Sequence, residues 1–179
     1  DGSNAEKLLV DMFVAGREGR TNDRINFAKK LVEEYPKSSK AYVDLGDAYN
    51  VTRNFSSAAQ NYIKATDINP ENVNAWWRLG SQHINVYTNQ ILLPASKQDK
   101  KLGIKYIDKM ISLRPDAAVG YQIRGNVDRA NSDFESAKKW YADALEKRRA
   151  TGRAASGLLG VIAHNLVFNC EFDSAQEYY

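Results

Sequence analysis

The stretch that decides the fold covers residues 41–70 and reads AYVDLGDAYNVTRNFSSAAQNYIKATDINP. Its first half carries a stripe at the i, i+3, i+7 spacing of one helix face, made of Tyr42, Leu45 and Tyr49. Its second half repeats a helical spacing of apolar and small residues from Phe55 onward. Asn54 between the halves is a favoured helix N-cap, and Pro70 cannot continue a helix. The stretch therefore predicts two antiparallel helices joined by a tight turn.

The same pattern recurs along the chain at a fixed period. Two series of residues mark it, namely Gly46, Gly80 and Gly125, and Pro36, Pro70 and Pro115. In both series the first interval is 34 residues and the second is 45, which indicates an 11-residue insertion in the third copy, near residues 86–101. A fixed period of this length predicts an array of stacked helical units. We expect one array over residues 1–179, with repeats at approximately 5–38, 39–72, 73–117 and 118–151 and an incomplete one at 156–179.

These positions resemble the tetratricopeptide repeat (TPR) signature, and the resemblance covers essentially the whole chain. It implies an all-α fold, an α-α superhelix or solenoid of stacked antiparallel helical hairpins. It further implies that the first helix of each pair lines a concave groove. The implied function is that of a non-catalytic protein-protein interaction scaffold, which binds a peptide or partner segment in this groove.

The resemblance also assigns the residues that face the groove. They are the first-helix residues outside the packing stripe: Lys40, Val43, Asp44, Asp47 and Asn50, then Asn74, Trp77, Arg78 and Ser81, then Gln122, Asn126 and Arg129, and in the fifth copy His164. Because Trp and Arg often dominate binding energy, Trp77 and Arg78 are the leading candidates. Alternatively, Trp77 packs on a neighbouring repeat and Arg78 pairs with Asp44 or Asp47.

The three glycines of the period fall in the middle of first helices, where each costs about 1 kcal/mol relative to alanine. This cost indicates close helix packing, and the small residues expected opposite are Ala58, Gly103 and Ala137. Arg124 stands where the TPR signature has leucine, and Asp128 where it has tyrosine. We therefore expect a more polar face between the helices of the fourth repeat.

Composition narrows the function further. The chain has 179 residues, 43% hydrophobic and 26% charged, with a net charge of +3, as in soluble globular proteins. The sequence leaves the compartment open between the cytoplasm and the periplasm or cell envelope. No apolar run approaches the roughly 18 residues of a membrane span. With one cysteine and two histidines, neither a metal nor another cofactor is expected. No phosphate-binding loop or catalytic motif appears, so we do not expect an enzyme, and His83 is expected to be a packed histidine.

Two basic segments suggest an alternative function. Residues 138–153 carry a net charge of +4 and residues 97–105 a net charge of +3. One alternative function is binding of RNA or another polyanion through the C-terminal patch. Cations at the C-terminal end of a helix are also favoured by the helix dipole, so the patch has a structural explanation. Nucleic acid is therefore not the expected partner. The other alternative is an accessory TPR region of a larger enzyme or cell-envelope assembly.

The insertion and the fifth repeat carry two further expectations. The insertion reads VYTNQILLPASKQDKK over residues 86–101, and we expect the preceding helix to extend to Gln90 or Leu93. The apolar residues Ile91, Leu92 and Leu93 then either fold back over the array or form a docking ridge. The fifth repeat stops at Tyr179 within its second helix. Either the protein continues, which we favour, or the open C-terminal repeat meets another molecule, including a second copy.

Overall fold

The structure, a computed structural model, describes residues 2–84, 93, 95–152 and 154–178. These residues form helices and connecting turns, with no β-strand among them. The helices are α1 (Gly2–Arg17), α2 (Thr21–Glu34), α3 (Ser39–Val51), α4 (Phe55–Ile68), α5 (Val73–His83), α6 (Lys100–Leu113), α7 (Ala118–Ala130), α8 (Phe134–Ala150), α9 (Ser156–Phe168) and α10 (Phe172–Gln176), with a short 3₁₀ turn at Ala95–Lys97. Within these described ranges, no helix is long and apolar enough to cross a bilayer.

Consecutive helices pack against each other in chain order. Helix α1 packs on α2, α3 on α4, α7 on α8 and α9 on α10, and the pairs are joined by packing of α2 on α3, α4 on α5 and α8 on α9. The fold is therefore all-α, built from stacked antiparallel helical hairpins, as the sequence predicts. The chain divides into two compact units, Asp1–Gly103 (unit 1) and Ile104–Tyr179 (unit 2). The single array over residues 1–179 stays a prediction.

Each unit has its own apolar core, formed where neighbouring helices meet. In unit 1 a cluster between α1, α2 and α3 consists of Leu8, Met12, Ala28, Leu31, Ala41, Leu45 and Ala48. In unit 2 a cluster between α8, α9 and α10 consists of Ala137, Tyr141, Ala144, Leu145, Leu158, Ile162, Leu166 and Ala175. Burying one leucine or isoleucine stabilises the fold by about 1.5–3 kcal/mol, so these clusters hold the hairpins together.

The predicted helix caps are present at the starts of α4 and α8. The Asn54 side chain accepts a hydrogen bond from the Ser57 N–H (3.2 Å), and the Asp133 carboxylate accepts one from the Ser136 N–H (3.1 Å). The bond to Ser136 lowers the pKa of Asp133, because it stabilises the ionised carboxylate. Glu171, at the same place before α10, makes no side-chain cap bond.

The residue before each of these caps adopts a left-handed backbone conformation. Its φ is 58° at Arg53, 62° at Ser132 and 62° at Cys170. In the first hairpin Gly19 takes this place, with φ of 72°. Because left-handed φ is unfavourable for residues with a Cβ, three of these four turns within hairpins carry local backbone strain.

The structure corrects the expected extension of the third repeat's first helix. Helix α5 ends at His83, and Ile84 is extended (φ −118°, ψ 110°), so the helix does not continue toward Gln90. The reason lies in packing, since the buried Ile84 side chain turns inward onto Gly103. Residues 86–92 and 94 of the insertion, among them Ile91 and Leu92, lie outside the described residues. Its last apolar residue, Leu93, is buried and donates its N–H to the Gln82 carbonyl (3.1 Å), as the fold-back alternative requires.

The nearest neighbours of two helix glycines are aromatic rings. An added Cβ at Gly46 would run into the ring of Tyr62, and one at Gly125 would lie 2.5 Å from the ring of Tyr141. Each tyrosine lies one turn beyond the alanine expected to be the partner, and its long side chain reaches back over the glycine. The absence of a side chain in the first helix therefore makes room for an aromatic ring, and the pairing with Ala58 and Ala137 stays a prediction. At Gly103 the close neighbours are His83 and Ile84.

Candidate partner-binding surface

The candidate site of unit 1 lies on α3 and α5 and consists of Lys40, Asp44, Asp47, Trp77 and Arg78, which we call the α3–α5 surface. An ion pair joins the two helices, because Arg78 Nη2 lies 2.8 Å from Asp47 Oδ2. The other oxygen of this carboxylate, Oδ1, accepts a hydrogen bond from the Tyr62 hydroxyl at 2.7 Å. Asp47 is thus held from two directions, and it fixes the position of the guanidinium.

Arg78 also covers one face of the neighbouring indole. Its guanidinium carbon lies 4.3 Å from the centre of the Trp77 ring, which is half-buried. Such a cation-π contact contributes about 0.5–2 kcal/mol, more as the pair loses water. The alternative that Arg78 pairs with Asp47 is therefore what the structure shows, and the pair holds an aromatic residue in place.

The remaining predicted residues of α3 and α5 border this centre. Lys40 Nζ lies 2.6 Å from Asp44 Oδ2 on an exposed part of α3, a pairing that contributes only a few tenths of a kcal/mol. Asn74 is exposed and Ser81 is partly exposed. Val43, by contrast, is buried and belongs to the core. The two acids and two bases balance, so the surface offers an aromatic side chain and hydrogen-bonding groups without net charge.

The Tyr62 hydroxyl, which lies beneath this surface, does not act as an acid in catalysis. Burial, together with the negative charge of Asp47, raises the pKa of Tyr62 well above its usual range. Tyr62 therefore stays protonated and acts as a fixed hydrogen-bond donor. Among the residues that the structure describes, no cluster of three His, Cys, Asp or Glu side chains has the arrangement of a metal site.

In unit 2 two predicted groove residues are engaged within their own hairpin. Asn126 is only 4% exposed, and its amide oxygen accepts a hydrogen bond from the Tyr141 hydroxyl (2.7 Å), so it does not face a partner as expected. Burial raises the pKa of Tyr141 to about 12, which keeps this hydroxyl protonated. Gln122 Oε1 accepts a hydrogen bond from Arg148 Nη2 (3.1 Å).

The remaining predicted groove residues lie on three different helices. Asn50 on α3 and Arg129 on α7 are partly exposed, and His164 on α9 is exposed. The ion pair between Arg78 and Asp47 joins predicted residues of α3 and α5.

The polar face expected in the fourth repeat is present at Arg124. Its Nε lies 3.4 Å from Asp108 Oδ1, and its guanidinium carbon lies 5.0 Å from the centre of the Trp140 ring. An arginine at a position typical of leucine thus packs through an ion pair and an aromatic face. In unit 2, Arg124 thus contacts an aspartate and a tryptophan, as Arg78 contacts Asp47 and Trp77 in unit 1.

Sequence reasoning missed a cavity in unit 2. It has a volume of about 470 Å³ between α8, α9 and α10, with an apolar floor that includes Leu145, Ile162 and Leu166. Its rim carries charged residues, among them Arg149 and Glu177.

The basic patch at residues 138–153 is partly neutralised. Lys138 pairs with Glu171 (2.5 Å), and Lys147 pairs with Glu146 (3.2 Å). The first contact raises the pKa of Lys138 and lowers that of Glu171. The guanidinium of Arg148, as noted, is bound to Gln122. Three cations of this patch, Lys138, Lys147 and Arg148, are thus already engaged within unit 2.

Comparison with known proteins finds its matches among solved structures. No protein-family model matches the sequence, and no curated protein matches it. A MamA crystal structure is 26% identical, covers 85% of this chain and 82% of its own, and has a TM-score of 0.67. MamA from Desulfovibrio magneticus RS-1 is 14% identical over 98% of this chain and 90% of its own, with a TM-score of 0.73. PilF of Pseudomonas aeruginosa is 16% identical over 99% of this chain and 74% of its own, with a TM-score of 0.78. MamA and PilF are TPR helical solenoids, and the chain shares that fold.

Proposed function

We propose that this chain is a non-catalytic protein-protein interaction scaffold, and that a peptide or partner segment binds on the α3–α5 surface. The observation that carries the proposal is the half-buried Trp77, held under a guanidinium that Asp47 fixes at 2.8 Å. Trp and Arg are the residue types most enriched among those that dominate binding energy. Because both side chains are already ordered, little side-chain entropy is lost when a partner binds.

The fold supports the same role, since MamA and PilF are TPR proteins that mediate protein-protein interactions. The neutral balance of the surface favours a partner that offers an apolar or aromatic side chain and backbone hydrogen bonds over a strongly charged one. Asn74, Ser81, Gln122 and Arg129 stay predicted partner-binding residues, and the array over residues 1–179 stays part of the proposal.

The test is selection of binding peptides from a displayed library, followed by affinity measurements on variants of the full chain. Trp77→Ala is expected to weaken binding by about 30-fold or more, the loss of a binding hot spot. Asp47→Asn keeps the shape but removes the ion pair, and it is expected to weaken binding less. Phe172→Ala removes an exposed aromatic residue of unit 2 and serves as the matched control. Unchanged binding by Trp77→Ala, with loss in Phe172→Ala, would move the site to unit 2.

The polyanion alternative makes a different prediction about salt. Binding of RNA or heparin through residues 138–153 would fall steeply with ionic strength and would be lost in Arg148→Glu/Arg149→Glu. We expect peptide binding at the α3–α5 surface to persist in high salt and in this double variant. The pairing of Lys138, Lys147 and Arg148 within unit 2 favours the peptide reading.

Two further alternatives remain attached to this proposal. Self-association through the open C-terminal repeat is favoured by the 470 Å³ cavity between α8, α9 and α10. Its test is sedimentation of Ala142→Arg, which places a charged side chain at the cavity wall and is expected to reduce such association. An accessory role in a larger enzyme or cell-envelope assembly is compatible with the same surface. Turnover of any substrate by this chain alone would contradict the non-catalytic role.

A further inference from the structure

Helix α1 is apolar on two opposite faces. One face packs in the core of unit 1 through Leu8, Met12 and Ala15. On the other face, Val10 is 59% exposed, Phe13 64% and Val14 38%. At 3.6 residues per turn the two sets lie roughly half a turn apart, so the second set cannot share in the packing of the first. Within the part of the chain that the structure describes, the exposed face therefore has no apolar partner like that of the buried face.

The exposed stripe has a charge pattern that is complementary to itself. Its members Glu6, Val10, Phe13 and Arg17 are spaced by four, three and four residues, so the spacing reads the same from either end. The anion Glu6 closes one end and the cation Arg17 closes the other, and both are exposed. In the single chain the Arg17 guanidinium lies 5.9 Å from the centre of the Phe13 ring, against the stripe.

We propose that this face binds a second copy of the chain through antiparallel pairing of the two α1 helices about a two-fold axis. The axis passes level with the midpoint between Val10 and Phe13, which is also the midpoint between Glu6 and Arg17. Each Glu6 then faces Arg17 of the other copy, and each Val10 faces Phe13. Such an isologous contact uses the same patch twice, which is the commonest form of homodimer.

The neighbouring residues agree with this arrangement. Under the same symmetry Val14 meets Leu9, which is partly buried, and Lys7 meets Gly16, so no like charges come together. A parallel arrangement would place Glu6 against Glu6 and Arg17 against Arg17. Repulsion of like charges disfavours that orientation, so the charge pattern selects antiparallel pairing.

The contact is short, so the dimer is weak. From Glu6 to Arg17 the stripe covers about 16 Å of helix, at 1.5 Å per residue. A pair of stripes of this length buries less than about 1,200 Å², the range of weak and transient complexes. We therefore expect a reversible dimer that forms at micromolar or higher protein concentration.

The first test is sedimentation of the full chain over a concentration series, with Cys170→Ser to remove the exposed thiol. Phe13→Asp is expected to abolish the dimer. Glu6→Arg and Arg17→Glu alone are each expected to weaken it about tenfold or more, because two ion pairs become two like-charge pairs. The double variant Glu6→Arg/Arg17→Glu is expected to restore it, since the charges are complementary again. Failure of the double variant to restore the dimer would overturn the proposal.

The second test reads the register. In the Cys170→Ser background and under oxidising conditions, a mixture of Glu6→Cys and Arg17→Cys chains is expected to form a mixed disulfide, whereas each variant alone is not. Predominant cross-linking of Glu6→Cys to itself would establish parallel pairing and overturn the proposal.

Controls separate this inference from other contacts. Ile63→Asp introduces the same charge at an exposed apolar residue of α4 and is expected to leave the dimer intact. Circular dichroism melts verify that Phe13→Asp remains folded, since it changes an exposed side chain. A monomer at all concentrations, or a dimer lost in Ala142→Arg but kept in Phe13→Asp, would contradict α1 pairing. Trp77→Ala is expected not to affect the dimer. The dimer proposal and the proposal of binding at the α3–α5 surface can therefore be refuted independently.

Discussion

Two tyrosines perform the same structural function in two repeats. The rings of Tyr62 and Tyr141 each cover the glycine in the middle of the preceding helix, and each hydroxyl donates to the residue that follows that glycine. In the second repeat this residue is Asp47, whose charge also binds Arg78. In the fourth it is Asn126, a neutral amide that stays buried. The two repeats thus differ at this position in one residue type. Asp47 holds an arginine at a surface, whereas Asn126 forms a buried polar contact.

The glycine beneath the ring can be tested at Gly125. Gly125→Ala would place a methyl group 2.5 Å from Tyr141, and the crowding is expected to cost about 1–3 kcal/mol, partly offset by better helix propensity. Gly160→Ala is the matched control, because nothing lies within 4 Å of the added Cβ. It is expected to be neutral or stabilising by up to about 1 kcal/mol. Urea unfolding of both variants measures the difference, and equal stability of the two would contradict the ring-on-glycine packing.

A second residue-scale prediction concerns pH and His83. The His83 Nδ1 accepts a hydrogen bond from the Asp99 N–H at 3.0 Å, which requires an unprotonated nitrogen. Burial lowers the pKa of His83, while the Asp99 carboxylate opposes this. The unfolded chain therefore binds the proton more readily, and stability is expected to fall as pH drops below about 6.5 toward the lowered folded pKa.

His83→Asn keeps an acceptor near the same place but does not titrate. Urea midpoints measured between pH 5 and 7.5 should decline less in this variant than in the parent chain. The same decline in both would show that the His83 contact does not contribute to the pH dependence.

The turns between paired helices show how an element of the repeat is built. In the turns before α2, α4, α8 and α10, one residue lies in the left-handed region and the next stands at the start of the following helix. Only Gly19 among these four residues is suited to that φ. Helix starts and pairings were predictable because the spacing of apolar residues recurs at each repeat and prolines end the first three. The end of α5 was not, because the insertion occurs once and the inward turn of Ile84 depends on Gly103, about twenty positions further on.

The turn before α8 gives an element-scale prediction. Ser132→Gly relieves the left-handed φ of 62° and is expected to stabilise the chain by about 0.5 kcal/mol, after the greater freedom of glycine in the unfolded state is subtracted. Ser132→Ala keeps a Cβ and should give no such gain. Thermal unfolding of the two variants distinguishes them, and a gain from alanine equal to that from glycine would argue against strain.

The cap of α4 gives another. Asn54→Ala removes the acceptor for the Ser57 N–H and is expected to cost about 1 kcal/mol, whereas Asn54→Asp retains an acceptor and should cost little. Denaturant midpoints measure both. Equal losses in the two variants would indicate that the cap bond is not the source of the effect.

At the scale of the whole molecule, packing runs between helices that are neighbours in the sequence. Periodicity alone predicted this, since a repeat that contacts only its neighbours must have regular spacing. It predicted the candidate site less well. The helical angle of Asn126 resembles that of Asp47, but the angle does not reveal depth, and only the structure shows that Asn126 is covered. The cavity and the second face of α1 depend on which surfaces stay open, which periodicity does not report.

Local packing leads to a whole-molecule prediction for hydrogen exchange. Because stability in such arrays is close to a sum of neighbour terms, Gly125→Ala should speed amide exchange in α7 and α8 and leave the amides of α1 and α2 nearly unchanged. Exchange followed by mass spectrometry measures this. Uniform acceleration along the chain would show a single cooperative unit instead.

The palindromic spacing on α1 determines how strongly a single mutation changes the pairing of two chains. Each residue of the stripe is present on both sides of the symmetric contact, so a single substitution changes the contact twice. An alteration that would weaken a one-sided contact fivefold weakens this one about 25-fold, since free energies add and equilibrium constants multiply. Pairing of this kind is therefore gained or lost in few evolutionary steps, while the hairpins behind it stay the same.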